Sequence, residues 1–567
     1  MSTPSFTITN EQINSLPLLL GIIDDMGIRQ IIDTYIRPHG NWEGASVGTV
    51  LAIWLSHILI ERDHRLAFVR DWANQRQQTI NTLLQITLRD TDCTDDRLAN
   101  ILSMLGEPTT QAALDAALVQ RWVRFYRLPT ALVRLDSTSV SVYHDLDEPD
   151  SLLQLGHSKD HRPDLRQFKL MLATLDPLGL PLVCQVVAGN CADDPLYTPA
   201  YQAAVAALGT EALLVVGDSK MAALATRGQI VRGGSCYLCA YRPPSASAEI
   251  AQWVEQALDR AASWQTIEAL DASTGEITRL AELDVWEREQ TWHDPTTQAT
   301  LGWSERVLVV RSAAYQAGLI RRRVQALERV TTELVDLWQP PTRGRKRYRS
   351  AAELERIVAE RIARAHLSGI VQARLAEERL PNGTSRWIVS NVWVDRAAWQ
   401  AQVERLGWQV YVTNTTETQY LAPTLVEAYH EQPILERGFA RLKSRNLQIR
   451  PIYLRDDVRI AGLVWLLCLA LRVLTLSEQR LRTALSERQE VLVGLNPASR
   501  TQATTRPTTE RVIAAFSSIT LTVLSGPALE QRHVSSLNRT QQHILSLLGL
   551  PPDLYNRLTA LTANLGP

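Results

Sequence analysis

Three acidic residues stand in settings that suit one kind of chemistry. Asp136 lies within Leu-Val-Arg-Leu-Asp-Ser-Thr-Ser-Val (132–140), and Asp218 ends the apolar run Ala-Leu-Leu-Val-Val-Gly-Asp (212–218). Glu436 sits in Tyr429-x2-Gln432-x3-Glu436-x6-Lys443. Carboxylates are hard oxygen donors suited to magnesium or manganese. Two such ions about 3.5–4 Å apart can activate an attacking oxygen and stabilise a departing one in an in-line displacement. Two aspartates at strand positions and a glutamate on a helix can converge on two Mg2+ ions, with Mn2+ as a substitute. That arrangement cuts and joins phosphodiesters. On this reading Asp136 and Asp218 are metal ligands, one of them bridging, and Glu436 completes the second site. A single aspartate at a strand end is usually a cap or a turn residue. The set of three, in this order of elements, carries the reading.

The elements that must position these acids are legible in the periodicity. Leu16 to Ile36, Val47 to Trp72 and Thr110 to Tyr126 have apolar residues at helical spacing, which predicts an all-α N-terminal domain over 1–128. At Thr130 the pattern changes. Ala131 to Tyr143, Gln167 to Asp176 and Leu180 to Ala188 read as strands, with a turn at Pro177-Leu178-Gly179. A helix (Leu196 to Leu208) and a buried strand (Ala212 to Gly217) follow. Three antiparallel strands, a helix and a parallel-type strand make the front half of an RNase H-like α/β core over 129–234, and in that order Asp136 and Asp218 become neighbours. Residues 235–406 mix strand-like pieces (Thr266–Leu280, Arg306–Arg311, Arg386–Val394) with charged helical stretches (Ile320–Leu337, Ala351–Glu378) and read as a mixed β/α insertion domain. The core resumes over 407–490, with the strand Trp408 to Asn414, a helix from Thr424 that carries Glu436 and a further helix from Asp456 to Leu485. A linker (Asn496 to Thr508), a strand (Ser518–Leu524) and an amphipathic helix (Leu537–Leu548) make up 491–567.

Composition sets outer bounds. A chain of 567 residues is too long for one core. No run reaches the roughly 18–20 apolar residues that a membrane span needs; Ala461 to Leu474, with Arg472 inside it, reads as a buried helix. No basic segment followed by an apolar stretch opens the sequence, which predicts a cytoplasmic protein. Six cysteines make no disulfide framework, and Cys236 and Cys239 fall on opposite faces of a strand, which favours packing over zinc or redox chemistry. The net charge of −1 gives no global nucleic-acid signal. There are only five lysines against 54 arginines, yet Lys159, Lys169, Lys220 and Lys443 fall in or close to the acidic motifs. Where arginine is the default cation, a retained lysine suggests that a compact point charge is wanted.

The motifs resemble those of bacterial insertion-sequence transposases of the DDE class, and more narrowly the group whose third acid lies in Tyr-x2-Arg-x3-Glu-x6-Lys. Tyr429, Glu436 and Lys443 match that spacing, Asp136-Ser-Thr-Ser and Val-Val-Gly-Asp218 match the settings of the first two acids, and Gly156-His-Ser-Lys-Asp160 and Arg162-Pro-Asp-Leu-Arg-Gln-Phe168 resemble family stretches. Gln432 departs from the pattern: an amide can hydrogen-bond a phosphate but brings no charge. Arg437 or Arg441, on the same helix, could compensate. The resemblance implies binding of double-stranded DNA at terminal inverted repeats, cleavage at the element ends, joining of 3′-hydroxyls to target DNA and a homodimeric synaptic complex, nucleoid-associated when on DNA. It also implies that N-terminal helices read the repeats, and that a hairpin forms on flanking DNA with an aromatic residue holding a flipped base.

Other residues are candidates for DNA contact. Tyr429, Gln432 and Lys443 belong to the motif. Arg343, Arg345, Lys346, Arg347 and Arg349 put five cations into seven residues after Pro340-Pro341, a loop suited to phosphates. Ten of the fifteen tryptophans lie between Trp253 and Trp408. Indole is the largest stacking surface available to a flipped base, although most of these rings are expected to form the core of the insertion. Two other readings stay open: a DNA-binding descendant that no longer cuts, and another RNase H-like nuclease.

Overall fold

The computed structural model describes residues 7–143, 151–270, 277–337, 348–380, 383–431, 433–496, 499, 501–526 and 529–559. The chain divides into two compact units. Met1–Leu238, Trp292–Leu301 and Ala428–Pro567 form the first, and Cys239–Thr291 and Gly302–Glu427 the second.

In the first unit a strand, β1 (Thr7–Gln12), precedes the helices. It pairs antiparallel with residues Thr520–Gly526, a partner too distant in sequence to leave any local signal. The helical segments that follow are more broken than their periodicity suggests. Gly27, at φ 72°, separates α1 (Leu16–Asp25) from α2 (Ile28–Tyr35). Ser46 caps α3 (Val47–Glu61) by accepting from the Thr49 amide at 3.2 Å, and α3 stops at Arg62 instead of running on to Trp72. Short helices α4 (Val69–Asn74) and α5 (Gln77–Leu84) lead to α6 (Asp95–Gly106) and α7 (Pro108–Tyr126).

The sheet of this unit is mixed. Strands β2 (Leu132–Ser141), β3 (Gln167–Leu175) and β4 (Leu180–Ala188) run antiparallel. After α8 (Tyr197–Leu208), β5 (Leu214–Gly217) lies parallel to the other edge of β2. Helix α9 (Leu224–Arg232) and β6 (Cys236–Ala240) follow, giving the order β4-β3-β2-β5-β6. Every residue of β3 is buried, so both faces of the sheet are covered. Cys239 is buried on β6, Cys236 is half-buried, and all six cysteines are free thiols.

The second unit contains α10 (Ser247–Asp259) and strands β7 (Gln265–Leu270), β8 (Ile277–His293) and β9 (Thr300–Ser312). Helix α11 (Ala313–Val335) and α12 (Ala351–Arg364) pack on the hairpin of β10 (Val371–Arg379) and β11 (Ser385–Val394). Val330, Leu334, Leu354, Leu367 and Val389 form their core. The expected helix Ala351–Glu378 is therefore wrong in its second half. His366 (φ 56°) and Gly369 (φ 79°) turn the chain, and the alternation Val371, Ala373, Leu375 belongs to β10. After α13 (Arg396–Glu404), β12 (Trp408–Thr413) pairs antiparallel with β9. Residues 407–427, read from the sequence as returning to the core, group with this unit. Its tryptophans are largely structural: Trp253 and Trp303 are buried, and the Arg311 guanidinium lies 4.6 Å from the Trp264 ring and 5.3 Å from that of Trp408. Trp338 lies outside the described residues.

Helix α14 (Ala422–His430) precedes α15 (Pro433–Lys443), which carries Glu436, and α16 (Asp457–Arg488). Asp456 caps α16 by accepting from the Arg459 amide at 2.8 Å. By length and composition α16 could cross a membrane, but 94% of its most apolar window is buried inside the protein. An apolar surface all round is what a central core helix requires. Fully buried Arg472 ties this helix to its neighbours: it lies 2.7 Å from the Asp115 carboxylate on α7 and donates to the Pro181 and Leu182 carbonyls on β4. Two short strands, β13 (Leu492–Val493) and β14 (Ala503–Thr504), pair across part of the expected linker. Helix α17 (Thr509–Ala515) precedes β15 (Thr520–Gly526) and β16 (Leu529–Val534), and α18 (Arg539–Leu547) opens on an Asn538/Gln541 capping box.

Candidate active site

The register of the sheet brings the first two acids together. Leu135 on β2 stands beside Gly217, the last residue of β5, so Asp136 within β2 and Asp218 just past β5 follow directly on the last pair of the ladder. Both side chains are half-buried. Asp136 feels that neighbourhood. Burial, and next to it the charge of Asp218, raise its carboxyl while Lys159 pulls it down, and the outcome is about 6. The Lys159 ammonium lies 3.6 Å from the Asp136 carboxylate and donates to the Ser137 carbonyl at 2.6 Å. Asp218 accepts from the Tyr197 hydroxyl at 2.5 Å and from the Lys220 amide at 2.8 Å. Tyr197 is fully buried, and burial together with the charges of Asp218 and Asp136 holds its phenol well above the ordinary value, in the donor form.

The retained lysines surround this pair. Lys169, buried on β3, donates to Asp193 at 2.6 Å. Lys220 lies 3.7 Å from Asp194. Burial disfavours the Asp193 carboxylate, yet the Lys169 hydrogen bond and the charges of Lys159 and Lys220 hold it below the usual range. Lys443, at the end of α15, donates to Asp160 at 2.9 Å, and Arg450 meets the other oxygen at 3.2 Å. Burial lowers the Lys443 ammonium, against the pull of Asp160. Two consecutive residues, Lys159 and Asp160, thus reach the strand of the first acid and the helix of the third.

The third acid stands differently. Helix α15 packs against β2, with Leu435, Phe439 and Leu442 buried. Glu436 is exposed in its first turn, where a carboxylate also favours the helix dipole. Among the described residues no group of three His, Cys, Asp or Glu side chains is close enough to hold a metal ion, so Asp136 and Asp218 pair and Glu436 does not join them. Gly179 helps to set this helix: at φ 67° it turns β3 into β4, and a Cβ there would lie 2.8 Å from the Ile434 side chain.

The remaining candidates divide. Tyr429 is half-buried near the end of α14, its ring edge-on to His430 at 6.3 Å. Arg349 is exposed in the second unit. Gln432 and the loop residues Arg343, Arg345, Lys346 and Arg347 lie outside the described residues. Of the two arginines that could replace the missing charge, Arg441 is buried and paired with Glu478 and Glu510, and so is committed to the core. Arg437 stays half exposed, 3.8 Å from Glu478. The sequence pointed to Lys159 by its rarity and by its place in the stretch Gly156-His-Ser-Lys-Asp160, and no local pattern announced Tyr197.

A family model described as transposase DDE domain matches residues 129–473. The chain belongs to the transposase DDE domain family. The match begins just before β2 and ends inside α16, so it spans the three candidate acids, and the chain is a DDE transposase of insertion-sequence type. No curated protein matches the chain. The donor set suits the divalent ions that such enzymes use: two adjacent carboxylates offer hard oxygens, and their mutual repulsion is the imbalance that a cation relieves.

Proposed function

We propose that this transposase binds the terminal inverted repeats of its element as a homodimer, cleaves DNA at each end and joins the freed 3′-hydroxyls to target DNA. The observation that carries the reading is the proximity of Asp136, within β2, to Asp218, just past the end of the neighbouring strand β5, in a chain of this family. Asp136 and Asp218 would hold Mg2+ or Mn2+, and Glu436 would complete the set as α15 settles on bound DNA. When bound, the ions supply charge compensation to the attacking and departing oxygens of an in-line displacement. The chain does the rest. Tyr197 fixes the Asp218 carboxylate by donating to it, Lys159 offsets the excess negative charge at Asp136, and Lys443 and Arg437 supply positive charge for phosphates along α15. Each step moves a phosphoryl centre between oxygens, so no nucleophilic Ser or Cys is needed.

The strand order β4-β3-β2-β5 with α8 before β5 supports an RNase H-like core, interrupted by the second unit as an insertion. The spacing Tyr429, Glu436, Lys443 supports the Tyr-x2-Arg-x3-Glu-x6-Lys group. The separation of Glu436 favours a second reading, a DNA-binding descendant that no longer cuts. Cleavage of a labelled duplex carrying the element's own end, with Mg2+, decides between them. The native chain should cut, and Asp136→Ala, Asp218→Ala and Glu436→Ala should not. Binding by all four proteins without cutting would establish the second reading.

A further inference from the structure

We infer that the cleft where the end of α3 meets the segment following α15 seats the sugar–phosphate backbone of duplex DNA. The inference rests on the reading of this chain as a DNA-handling enzyme. The cleft has a volume of about 470 Å³, and Arg62, Arg65, Arg445, Gln448 and Tyr453 line it. Its two acids are already compensated. Asp63 accepts from the Arg65 amide at 2.9 Å and from its guanidinium at 2.6 Å. Glu61 accepts from the Trp72 indole at 2.7 Å and lies 3.6 Å from Arg76. Arg62 and Arg445 are exposed, and among the described residues no acid engages either of them. The cleft therefore presents two uncommitted guanidiniums, which recognise phosphate oxygens. Tyr453, 60% exposed, adds a ring that can lie against a sugar or a base.

The backbone at the cleft supplies a clean way to test this. Arg62 ends α3 at φ 58°, and Gln448 faces the same cleft at φ 46°. Glycine takes this left-handed conformation without steric cost and is the usual residue at a helix end of this kind. Two large polar side chains sit there instead. Gln85, Arg127 and Gln489 end α5, α7 and α16 in the same way, so this conformation marks Arg62 as a position that accepts glycine and not as a ligand site by itself. The cleft also begins two residues beyond Lys443, so it adjoins the end of the helix that carries Glu436.

The decisive variant is Arg62→Gly in the full chain. It removes the guanidinium and relieves the backbone at once, so stability and binding should move in opposite directions. The probes are two labelled duplexes of equal length, one from the element boundary and one of random sequence, titrated over a range of salt. We expect a higher Tm, several-fold weaker binding of both duplexes, and a log Kd against log salt slope smaller by about 1. Arg445→Ala, at a position without backbone strain, should show the same loss of slope with little change in Tm. Unchanged affinity and slope in both variants, with the native chain binding DNA, would overturn this inference and leave the DNA-handling reading intact. A native chain that binds neither duplex would overturn that reading and the inference with it.

Discussion

The Lys159 ammonium stands 3.6 Å from the Asp136 carboxylate and donates to both the carbonyl and the hydroxyl of Ser137. It therefore tempers the charge at Asp136 from beside the carboxylate. Burial and Asp218 together outweigh it, and the carboxyl titrates at about 6, above the ordinary aspartate value of about 3.9. Removing Lys159 takes away the principal force lowering that value. In Lys159→Met the acid limb of a pH–cleavage profile should move to higher pH, since Asp136 must ionise to hold a metal. An unmoved limb would mean that Lys159 does not act on Asp136 during catalysis.

The same shift has a stability consequence whose sign is fixed by linkage. A carboxyl with a raised pKa binds its proton more tightly in the folded state, so its contribution is greatest in acid and is lost as pH rises from about 4 through about 6. Asp136→Asn should flatten this part of the Tm against pH curve. At neutral pH the native protein should also gain about 2.7 kcal/mol when Mg2+ is present at 100 times its Kd. Asp136→Asn and Asp218→Asn should show no such gain, and a thermal shift as large as that of the native chain would place the metal elsewhere.

Tyr197 holds one oxygen of Asp218 from a fully buried position. Partners that orient a metal ligand are typically worth about 10–100-fold in activity or metal affinity. Tyr197→Phe keeps the ring and its packing, so cleavage should fall within that range while Tm changes little. Wild-type cleavage in Tyr197→Phe would reduce the tyrosine to a core residue.

What the sequence revealed and what it hid have physical reasons. Strand and helix identity from Thr130 to Gly217 follows from local alternation, and the pairing of Asp136 with Asp218 follows from the order of elements. Contacts set by distant partners left no trace. Strand β1 forms only because residues 520–526 lie beside it, and Tyr197 matters only because α8 delivers it to Asp218. The helix expected over Ala351–Glu378 failed because charged residues disguised the alternation of β10. Arg441 looked like a free cation on a polar helix, yet Glu478 and Glu510 bury it.

Gly179 combines a left-handed φ of 67° with a close approach to α15: a Cβ added there would lie 2.8 Å from Ile434 Cγ2 and 3.2 Å from its carbonyl oxygen. Alanine there is strained in φ, at about 1–2 kcal/mol, and pushes the first turn of α15, where Glu436 sits. Gly179→Ala should lower Tm modestly and cleavage disproportionately, with DNA affinity nearly kept. Equal losses of binding and cleavage would show that the turn serves general stability and not the placement of α15.

The Arg472–Asp115 pair tests how the sheet that carries Asp136 is held. Arg472 joins α16 to α7 through Asp115 and to β4 through two backbone carbonyls, and Trp465 donates to the same Asp115 oxygen at 2.9 Å. Asp115→Ala strands a buried guanidinium, a change that typically costs about 3–5 kcal/mol. Because β4 pairs with β3 and β3 with β2, the loss should be cooperative and appear as one lower denaturant midpoint. Replacing both partners with apolar residues removes the uncompensated charge, so Asp115→Leu with Arg472→Met should recover much of the loss. A double variant as unstable as Asp115→Ala would mean that the two carbonyl contacts from Arg472 to β4, and not the ion pair, hold α16 against the sheet.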